Sequence, residues 1–174
     1  NPGFESGDFT GWTASSMFVA DQTSFGGVHT GSYSASGDPY FPFSLQQNFA
    51  SPISGDIVTT LQFWYKHGNF WDSASQQEVY PVKAQVLYSD GTYTETSLPR
   101  VSDWTLVSPS FDKTRAVNGV KIVKPGQSLG NFYVDDFTIQ VAAHPTTAHS
   151  YDNLTRLTNT TYPDTSFETY GYDD

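Results

Sequence analysis

Most of this chain alternates apolar and polar residues over short segments, and almost none of it repeats apolar residues at helical spacing. Residues 61–66 (LQFWYK) place three apolar side chains on one side of an extended chain, and residues 82–88 (VKAQVLY) do the same. A period of two is typical of a β-strand with one buried face. The best helical candidate, 112–119, is short. We therefore expect an all-β fold.

The same pattern predicts further strands at 17–21, 32–36, 44–50, 92–97, 104–110, 119–124 and 131–141. Clusters of Gly, Pro, Ser and Asp separate them, and Asp90-Gly91 is a hairpin signal between two of them. Many short strands joined by such turns predict two antiparallel sheets packed as a β-sandwich of the jelly-roll type.

Charge and cysteine content restrict the possible partners. The chain has 18 acidic residues against 8 Lys and Arg, a formal net charge of −10. Nucleic acids and anionic membranes require a basic face, so both are disfavoured, and a neutral ligand or a cation fits better. No apolar stretch approaches the ~18 residues of a membrane-spanning helix. The absence of cysteine excludes disulfides, thiol catalysis and cysteine-based zinc sites.

Two of the predicted strands carry side chains suited to binding a sugar. Gln62, Trp64 and Lys66 share the outward side of one strand, and Lys83 and Gln85 share that of another. If these strands are neighbours, the five side chains form one patch. A sugar ring stacks on an aromatic plane while amides and ammonium groups bind its hydroxyls. The alternative is that a loop or a second layer covers Trp64. The two lysines fit an acidic polysaccharide, or simply solvate an edge.

Aromatic residues in two predicted loops define a second candidate site at the edge of the sandwich. Tyr40 lies in DPYFPF at 38–43, and Trp71 lies in GNFWDS at 68–73. Loops on a rigid scaffold often carry binding residues. The alternative is that these loops fold over the end of the core.

The composition changes after residue 141. Residues 142–150 (AAHPTTAHS) show no alternation and predict a linker between a sandwich at 1–141 and a separate segment at 151–174. Tyr151-Asp152 and Tyr172-Asp173 begin two copies of a motif 21 residues apart. We expect a β-hairpin between them.

Five segments of the sandwich occur in a recognisable order. They are NPGFESGDFTGW at 1–12, HTGSYSAS at 29–36, TLQFWYK at 60–66, WTLVSPSF at 104–111 and FYVDDFTI at 132–139. On them the chain resembles the jelly-roll carbohydrate-binding modules grouped around families 4, 9 and 22. The resemblance implies polysaccharide binding without cleavage. It also implies that Phe4, Trp12 and Trp104 are core residues.

The same resemblance implies a structural calcium where the first strand meets the last. Glu5 and Asp135 would supply side chains, and Gly3 and Thr30 would supply carbonyl oxygens, which are the ligands that calcium prefers. Asp135 shares the strand parity of Phe137, so we expect it to point inward. The alternative is that Glu5 is a surface acid and Asp135 caps a turn.

The last segment resembles one Rhs/YD repeat, with a YD-x-x-G-R-L motif, a Tyr-Pro-Asp-Gly turn and a second YD. The matching residues are Tyr151, Asp152, Arg156, Leu157, Tyr162, Pro163, Asp164, Tyr172 and Asp173. Thr155 and Thr165 stand where the family has Gly. The resemblance implies that the chain is cut from a longer bacterial-type secreted or cell-surface protein and contacts its other domains.

The prediction is a monomeric, non-catalytic module that binds a polysaccharide or cell-surface glycan and contains structural calcium. A jelly-roll glycoside hydrolase or lyase would need two carboxylates facing one cleft. The glutamates are Glu5, Glu78, Glu95 and Glu168, and no Glu-x-Asp-x-x-Glu run appears. Glu78, near Trp71, could belong to a cleft but has no visible partner. A structural or adhesive spacer that binds no sugar is the other alternative, and exposure of Trp64 distinguishes it from a binding module.

Overall fold

The computed structural model describes residues 3–24, 27–67, 81–126, 130–142, 148–161 and 167–171. The chain divides into two compact units, Asn1–Val141 and Ala142–Asp174. The regular structure in the described ranges is all β-strand, as predicted. These ranges include no helix long and apolar enough to cross a membrane.

Ten strands form the first unit. In chain order they are β1 (Thr13–Ser15), β2 (Met17–Asp21), β3 (Tyr33–Gly37), β4 (Phe43–Ser54), β5 (Val58–His67), β6 (Val82–Tyr88), β7 (Tyr93–Leu98), β8 (Val101–Val107), β9 (Ala116–Lys124) and β10 (Phe132–Val141). Sheet 1 has the order β1-β4-β9-β6-β7, and sheet 2 has the order β2-β3-β10-β5-β8. Every neighbouring pair is antiparallel. This arrangement is the predicted jelly-roll sandwich.

The inward sides of the two sheets form the core. The alternating buried side chains on β5 and β6 include Leu61, Phe63, Tyr65, Val82, Ala84 and Val86. Burying each large apolar side chain contributes about 1.5–3 kcal/mol. The hairpin predicted at Asp90-Gly91 joins β6 to β7, and Gly91 adopts a φ of 81° at its tip.

Aromatic residues near the N-terminus pack against the sandwich core. Phe4 is fully buried, and the centroid of its ring lies 6.0 Å from that of Phe9 and 5.5 Å from that of Trp12. Trp12 packs on Phe137 of β10 at 4.6 Å, and Phe137 stacks on Phe63 of β5 at 4.8 Å. Each such pair contributes about 0.5–1.5 kcal/mol. The core positions predicted for Phe4 and Trp12 are confirmed.

Strand β10 contains an irregularity that reverses its alternation. Val134 and Phe137 both pack against the core although they are three positions apart. The pairing with β5 shifts after Asp135, where Asp136 has a φ of 51°. An inserted residue of this kind turns the following side chains to the other face. Asp135 therefore lies on the outer side of sheet 2, opposite Trp64, and the predicted inward orientation is wrong.

The second unit is a three-stranded antiparallel sheet with the order β11 (Ala148–Tyr151), β12 (Leu157–Thr161) and β13 (Phe167–Thr169). Strands β12 and β13 form the predicted hairpin. Strand β11 begins within the residues predicted as linker, because it pairs with β12. Thr155 has a φ of 62° in the intervening turn. Asp152 accepts the N–H groups of Leu154 and Arg156 there at 2.8 and 2.9 Å.

Candidate functional site

The five residues of the predicted sugar patch do not lie together. Gln62, Trp64 and Lys66 are on β5 in sheet 2, whereas Lys83 and Gln85 are on β6 in sheet 1. Both groups point outward, as their alternation predicted, but from opposite sides of the sandwich. Alternation fixes the face of a strand that is buried and not the neighbour with which it pairs. The prediction of a single patch is therefore wrong.

Trp64 is half-buried against another ring. The imidazole of His29 stacks on its indole, with centroids 4.1 Å apart and an interplanar angle of 17°. The ring of Trp104 lies 5.5 Å from the same imidazole. Trp104 is thus half-buried beside His29 and is not in the core cluster, which corrects its predicted position. One face of the Trp64 ring is occupied by the protein itself.

The segment 27–31 covers the outer side of sheet 2 next to Trp64. Ser34 and Asp135 face outward on β3 and β10, and both are fully buried. Ser34 donates its hydroxyl to the carbonyl of Gly27 at 3.1 Å. The N–H groups of His29 and Thr30 donate to Oδ2 of Asp135 at 3.1 and 3.4 Å. The part of this side around Asp135 and Ser34 is therefore covered by the protein's own loop, whereas Phe18 and Leu106 on the same sheet are exposed.

The four residues predicted to hold calcium come together at this loop. A Cβ on Gly3 would lie 3.6 Å from Oδ1 of Asp135 and 3.7 Å from Cγ of Glu5. Glu5 accepts the N–H of Ser32 at 2.8 Å, and Thr30 contacts Asp135 as described. The N-terminal segment, the β2–β3 loop and β10 thus converge at one place.

Gly31 lets the Glu5 carboxylate approach this loop. A Cβ on Gly31 would overlap the carboxylate of Glu5, and Gly31 has a φ of 71°. Both the close approach and the left-handed backbone require glycine.

The electrostatics of this cluster are negative. Burial and the neighbouring charge of Asp136 raise the pKa of Asp135 to about 7. Nδ1 of His29 lies 2.7 Å from Oδ2 of Asp136. No three His, Asp or Glu side chains within the described ranges are arranged to hold a metal by themselves. A cation here would rely on two carboxylates, Glu5 and Asp135, together with carbonyl oxygens, which suits calcium.

The outer side of sheet 1 is different, because no loop among the described residues is bonded across its middle. Thr13, Gln46, Lys121, Gln85 and Glu95 pair directly across the five strands. Adjacent strands are ~4.8 Å apart, so this polar row extends ~19 Å across the sheet. Hydrogen bonds hold the side chains of Gln46 and Gln85 in this row. Lys121, between them, has an amide side chain on each side.

At one end of the row, Glu95 accepts hydrogen bonds from two neighbouring side chains. Nζ of Lys83 and Nε2 of Gln85 donate to its two carboxylate oxygens, each at 2.8 Å. These bonds hold the pKa of Glu95 below its usual range and raise that of Lys83. At the other end, Gln46 donates to Oδ1 of Asn48 at 3.0 Å. Hydrogen-bonding groups on this face are therefore held in fixed positions.

Tyr93 supplies an exposed aromatic ring on the same face. It is 51% exposed, pairs with Leu87 across the β6–β7 hairpin, and precedes Glu95 by two residues. Successive outward residues of a strand lie side by side. The ring is therefore next to the polar row.

The second predicted site lies in the loop before β4. Tyr40 is 61% exposed, and neighbouring Phe41 is also exposed. The loop is held from below by Lys124, which is 1% exposed and donates to the carbonyls of Asp38 and Pro39 at 2.8 and 3.1 Å. Trp71, the other predicted contact, lies outside the described residues.

Several residues of these sites were not among the sequence predictions. They are His29, Gln46, Tyr93, Glu95, Lys121, Lys124 and Asp136. Alternation along β7 and β9 places Tyr93, Glu95 and Lys121 outward, so their exposure was predictable. Their proximity to Gln85 depends on strand order, for which the sequence contains no local signal.

Three solved structures similar to this chain are carbohydrate-binding modules. A family 61 module in complex with β-1,4-galactotriose has a TM-score of 0.57 and 20% identity, covering 82% of this chain and 96% of the module. A family 16 module has a TM-score of 0.56 and 18% identity, covering 80% and 96%. The family 22 xylan-binding domain of Paenibacillus barcinonensis Xyn10C has a TM-score of 0.51 and 14% identity, covering 81% and 93%. These likenesses establish the jelly-roll fold.

No protein-family model matches the sequence. No curated protein matches it either.

Proposed function

We propose that this protein is a non-catalytic module that binds a polysaccharide or cell-surface glycan on the outer side of sheet 1. The observation that carries the proposal is the polar row across this face, whose amides are held by hydrogen bonds, with the exposed ring of Tyr93 beside it. Carbohydrate-binding modules that share the fold support the ligand class.

The row offers the contacts that a sugar chain needs. The ring of Tyr93 presents a plane on which the C–H face of a sugar can stack. Gln46 and Gln85 have amides that both donate and accept hydrogen bonds, which suits hydroxyl groups. Because Lys83 and Gln85 are already held by Glu95, little side-chain entropy is lost when a ligand binds.

The strand residues of this face do not supply the groups that hydrolysis requires. Glycoside hydrolysis uses two carboxyl groups on either side of the scissile bond. Glu95 is the one acid among the strand residues of sheet 1, and its pKa is lowered rather than raised. A general acid needs the opposite shift. We therefore expect no cleavage of the bound glycan.

Affinity electrophoresis against neutral and acidic polysaccharides tests this proposal, using the wild type, Gln85→Ala and Gln62→Ala. Gln62 is the matched control, since it is an outward glutamine on the opposite side. We expect retardation of the wild type and of Gln62→Ala, and weaker retardation of Gln85→Ala. Equal retardation of all three proteins would contradict the position of the site.

The second candidate is a structural or adhesive spacer that binds no sugar. The covering of Trp64 by His29 favours it, because the aromatic residue selected from the sequence has one face occupied. The same experiment separates the two functions. Failure of the wild type to bind any glycan in the panel, in a protein that melts cooperatively, would favour the spacer.

Structural calcium is a separate proposal for the loop side of sheet 2. The buried carboxyl group of Asp135 and the nearby Glu5 support it. Gly3 and Thr30 lie beside Asp135 and would supply carbonyl ligands. The ion would offset the charge repulsion between Asp135 and Asp136 and join the N-terminal segment to β10. It would take no chemical part in sugar binding.

The resemblance of the second unit to an Rhs/YD repeat supports a further proposal about context. We propose that the chain belongs to a longer secreted or cell-surface protein, in which the module is an accessory domain. The left-handed conformation of Thr155 at a family glycine position is compatible with that repeat. A longer native chain at the cell surface, detected by protease shaving of intact cells, is the expected result.

A further inference from the structure

The two sheets of the sandwich carry opposite charge. The strands of sheet 1 contain three lysines and one acid, whereas those of sheet 2 contain four acids and one lysine. The charged strand residues of sheet 1 are Lys83, Lys121, Lys124 and Glu95. In sheet 2 they are Lys66, Asp21, Asp103, Asp135 and Asp136. Lys124 is buried, so the charged residues on the outer side of sheet 1 are Lys83, Lys121 and Glu95. In a chain with a net charge of −10, the strand residues of this face still carry one more lysine than acids.

Lys121 lies at the centre of that face. It is on the middle strand, β9, between Gln46 of β4 and Gln85 of β6. Lys83 is paired with Glu95, with Nζ 2.8 Å from Oε1, so these two charges offset each other. Lys121 has no ion-pair or hydrogen-bond partner in the described part of the chain. The uncompensated charge of the row is therefore one ammonium group flanked by two amides.

We infer that the ligand of this face is an acidic polysaccharide, with the carboxylate of a uronic acid residue bound to Lys121. The inference rests on the proposed function. An ammonium group and a carboxylate form a charge-assisted hydrogen bond, about twice as strong as a neutral one. Gln46 and Gln85 can donate to the carboxylate or to adjacent hydroxyls, and Tyr93 can hold the ring. The acids of sheet 2 belong to the opposite sheet of the sandwich, across the core from Lys121.

The test uses oligogalacturonates and the same oligomers with every carboxylate methyl-esterified. Both ligands have the same rings and hydroxyls and differ only at the carboxyl group, which is an anionic carboxylate in one and a neutral methyl ester in the other. Calorimetry at low ionic strength would compare the wild type, Lys121→Gln and Lys66→Gln. Lys66 is the matched control, because it is an outward lysine on a central strand of the opposite sheet. Melting temperatures of the variants check that each remains folded.

We expect the wild type and Lys66→Gln to bind the acidic oligomer about tenfold more tightly than its ester. The preference should disappear in Lys121→Gln, and in the wild type it should fall at high ionic strength. Equal affinity of the wild type for the two oligomers, or a preference retained in Lys121→Gln, would overturn the inference while leaving glycan binding intact. Absence of binding to either oligomer and to the neutral panel would instead overturn the proposed function.

Dextran sulfate distinguishes the two anions that a polysaccharide can carry. We expect it to bind more weakly than the oligogalacturonate, since the two flanking amides suit a planar carboxylate. Tighter binding of dextran sulfate that is lost in Lys121→Gln would assign the face to sulfate esters and overturn the uronate assignment.

Discussion

The imidazole of His29 stacks on the indole of Trp64, with ring centroids 4.1 Å apart. His29 is also held by Asp136, whose Oδ2 lies 2.7 Å from Nδ1. The aromatic residue that the sequence selects for sugar stacking therefore contributes to the packing of the β2–β3 loop on β10.

This relationship predicts that His29 affects stability and not binding. Replacing His29 by Ala removes the stacked ring and the contact with Asp136, and we expect the free energy of unfolding to fall by about 1–2 kcal/mol. His29→Phe keeps a stacked ring and should recover part of that loss. Glycan affinity should be the same in all three proteins. A fall in affinity in His29→Ala would show that the Trp64 side takes part in binding.

Lys124, on β9 of sheet 1, predicts a second effect on stability. Its buried ammonium group donates to the carbonyls of Asp38 and Pro39 and lies 5.0 Å above the ring centre of Phe43. Lys124→Met fills similar space but leaves both carbonyls without this donor, so unfolding should become easier by about 3 kcal/mol. Urea denaturation measures the change.

The exposed Lys113 supplies the control. Lys113→Met should leave the free energy of unfolding unchanged within about 0.5 kcal/mol. A similar loss in both variants would show that the effect does not come from the hydrogen bonds to the loop.

His67 predicts a dependence of stability on pH. It is 1% exposed, and burial lowers its pKa to about 4 from a usual value of 6.5. Below pH 6.5 the unfolded chain takes up a proton on this residue that the folded protein does not, so stability falls between pH 6.5 and 4. The full effect is about 3 kcal/mol.

Comparing the wild type with His67→Phe isolates this contribution. In the metal-free protein the raised pKa of Asp135 gives the opposite trend: its contribution to stability is fully present below about pH 4 and is lost as pH rises towards 7. This trend is common to both proteins and cancels in the difference. We expect the wild type to lose stability relative to His67→Phe as pH falls from 6.5 to 4. A difference that does not vary over this range would contradict a depressed pKa at His67.

Removal of calcium tests the cluster on the loop side of sheet 2. At a concentration 100 times its dissociation constant, a bound ion stabilises the folded state by about 2.7 kcal/mol. A chelator should therefore lower the melting temperature of the wild type and of Asp8→Asn, an exposed acid of the same segment. It should have little effect on Glu5→Gln. An unchanged melting temperature of the wild type in chelator would argue against structural calcium.

The regular parts of the sandwich follow from the sequence. Alternation in LQFWYK and VKAQVLY correctly separates core from outward residues on β5 and β6, because one face of each strand must be buried. The short strand β1 was not predicted, since three residues are too few to show a period. Phe4 and Trp12 were predicted as core residues from the resemblance, and their aromatic packing explains why they are buried.

Two features could not be read from local patterns. The separation of Trp64 from Gln85 depends on which strands pair, and distant segments determine that pairing. The outward position of Asp135 depends on one inserted residue in β10, which shifts the alternation without any change in composition. The covering of Trp64 follows from the second feature, because the loop that carries His29 is bonded to Asp135 and Asp136.

The central claim is that the glycan binds to the outer side of sheet 1, and chemical-shift mapping tests it most directly. Amide and side-chain resonances of the isotope-labelled protein would be followed during titration with a bound oligosaccharide. We predict that the perturbed signals belong to Gln46, Lys121, Gln85, Tyr93 and Glu95. Perturbations confined to Gln62, Trp64 and Lys66 on sheet 2 would contradict the account.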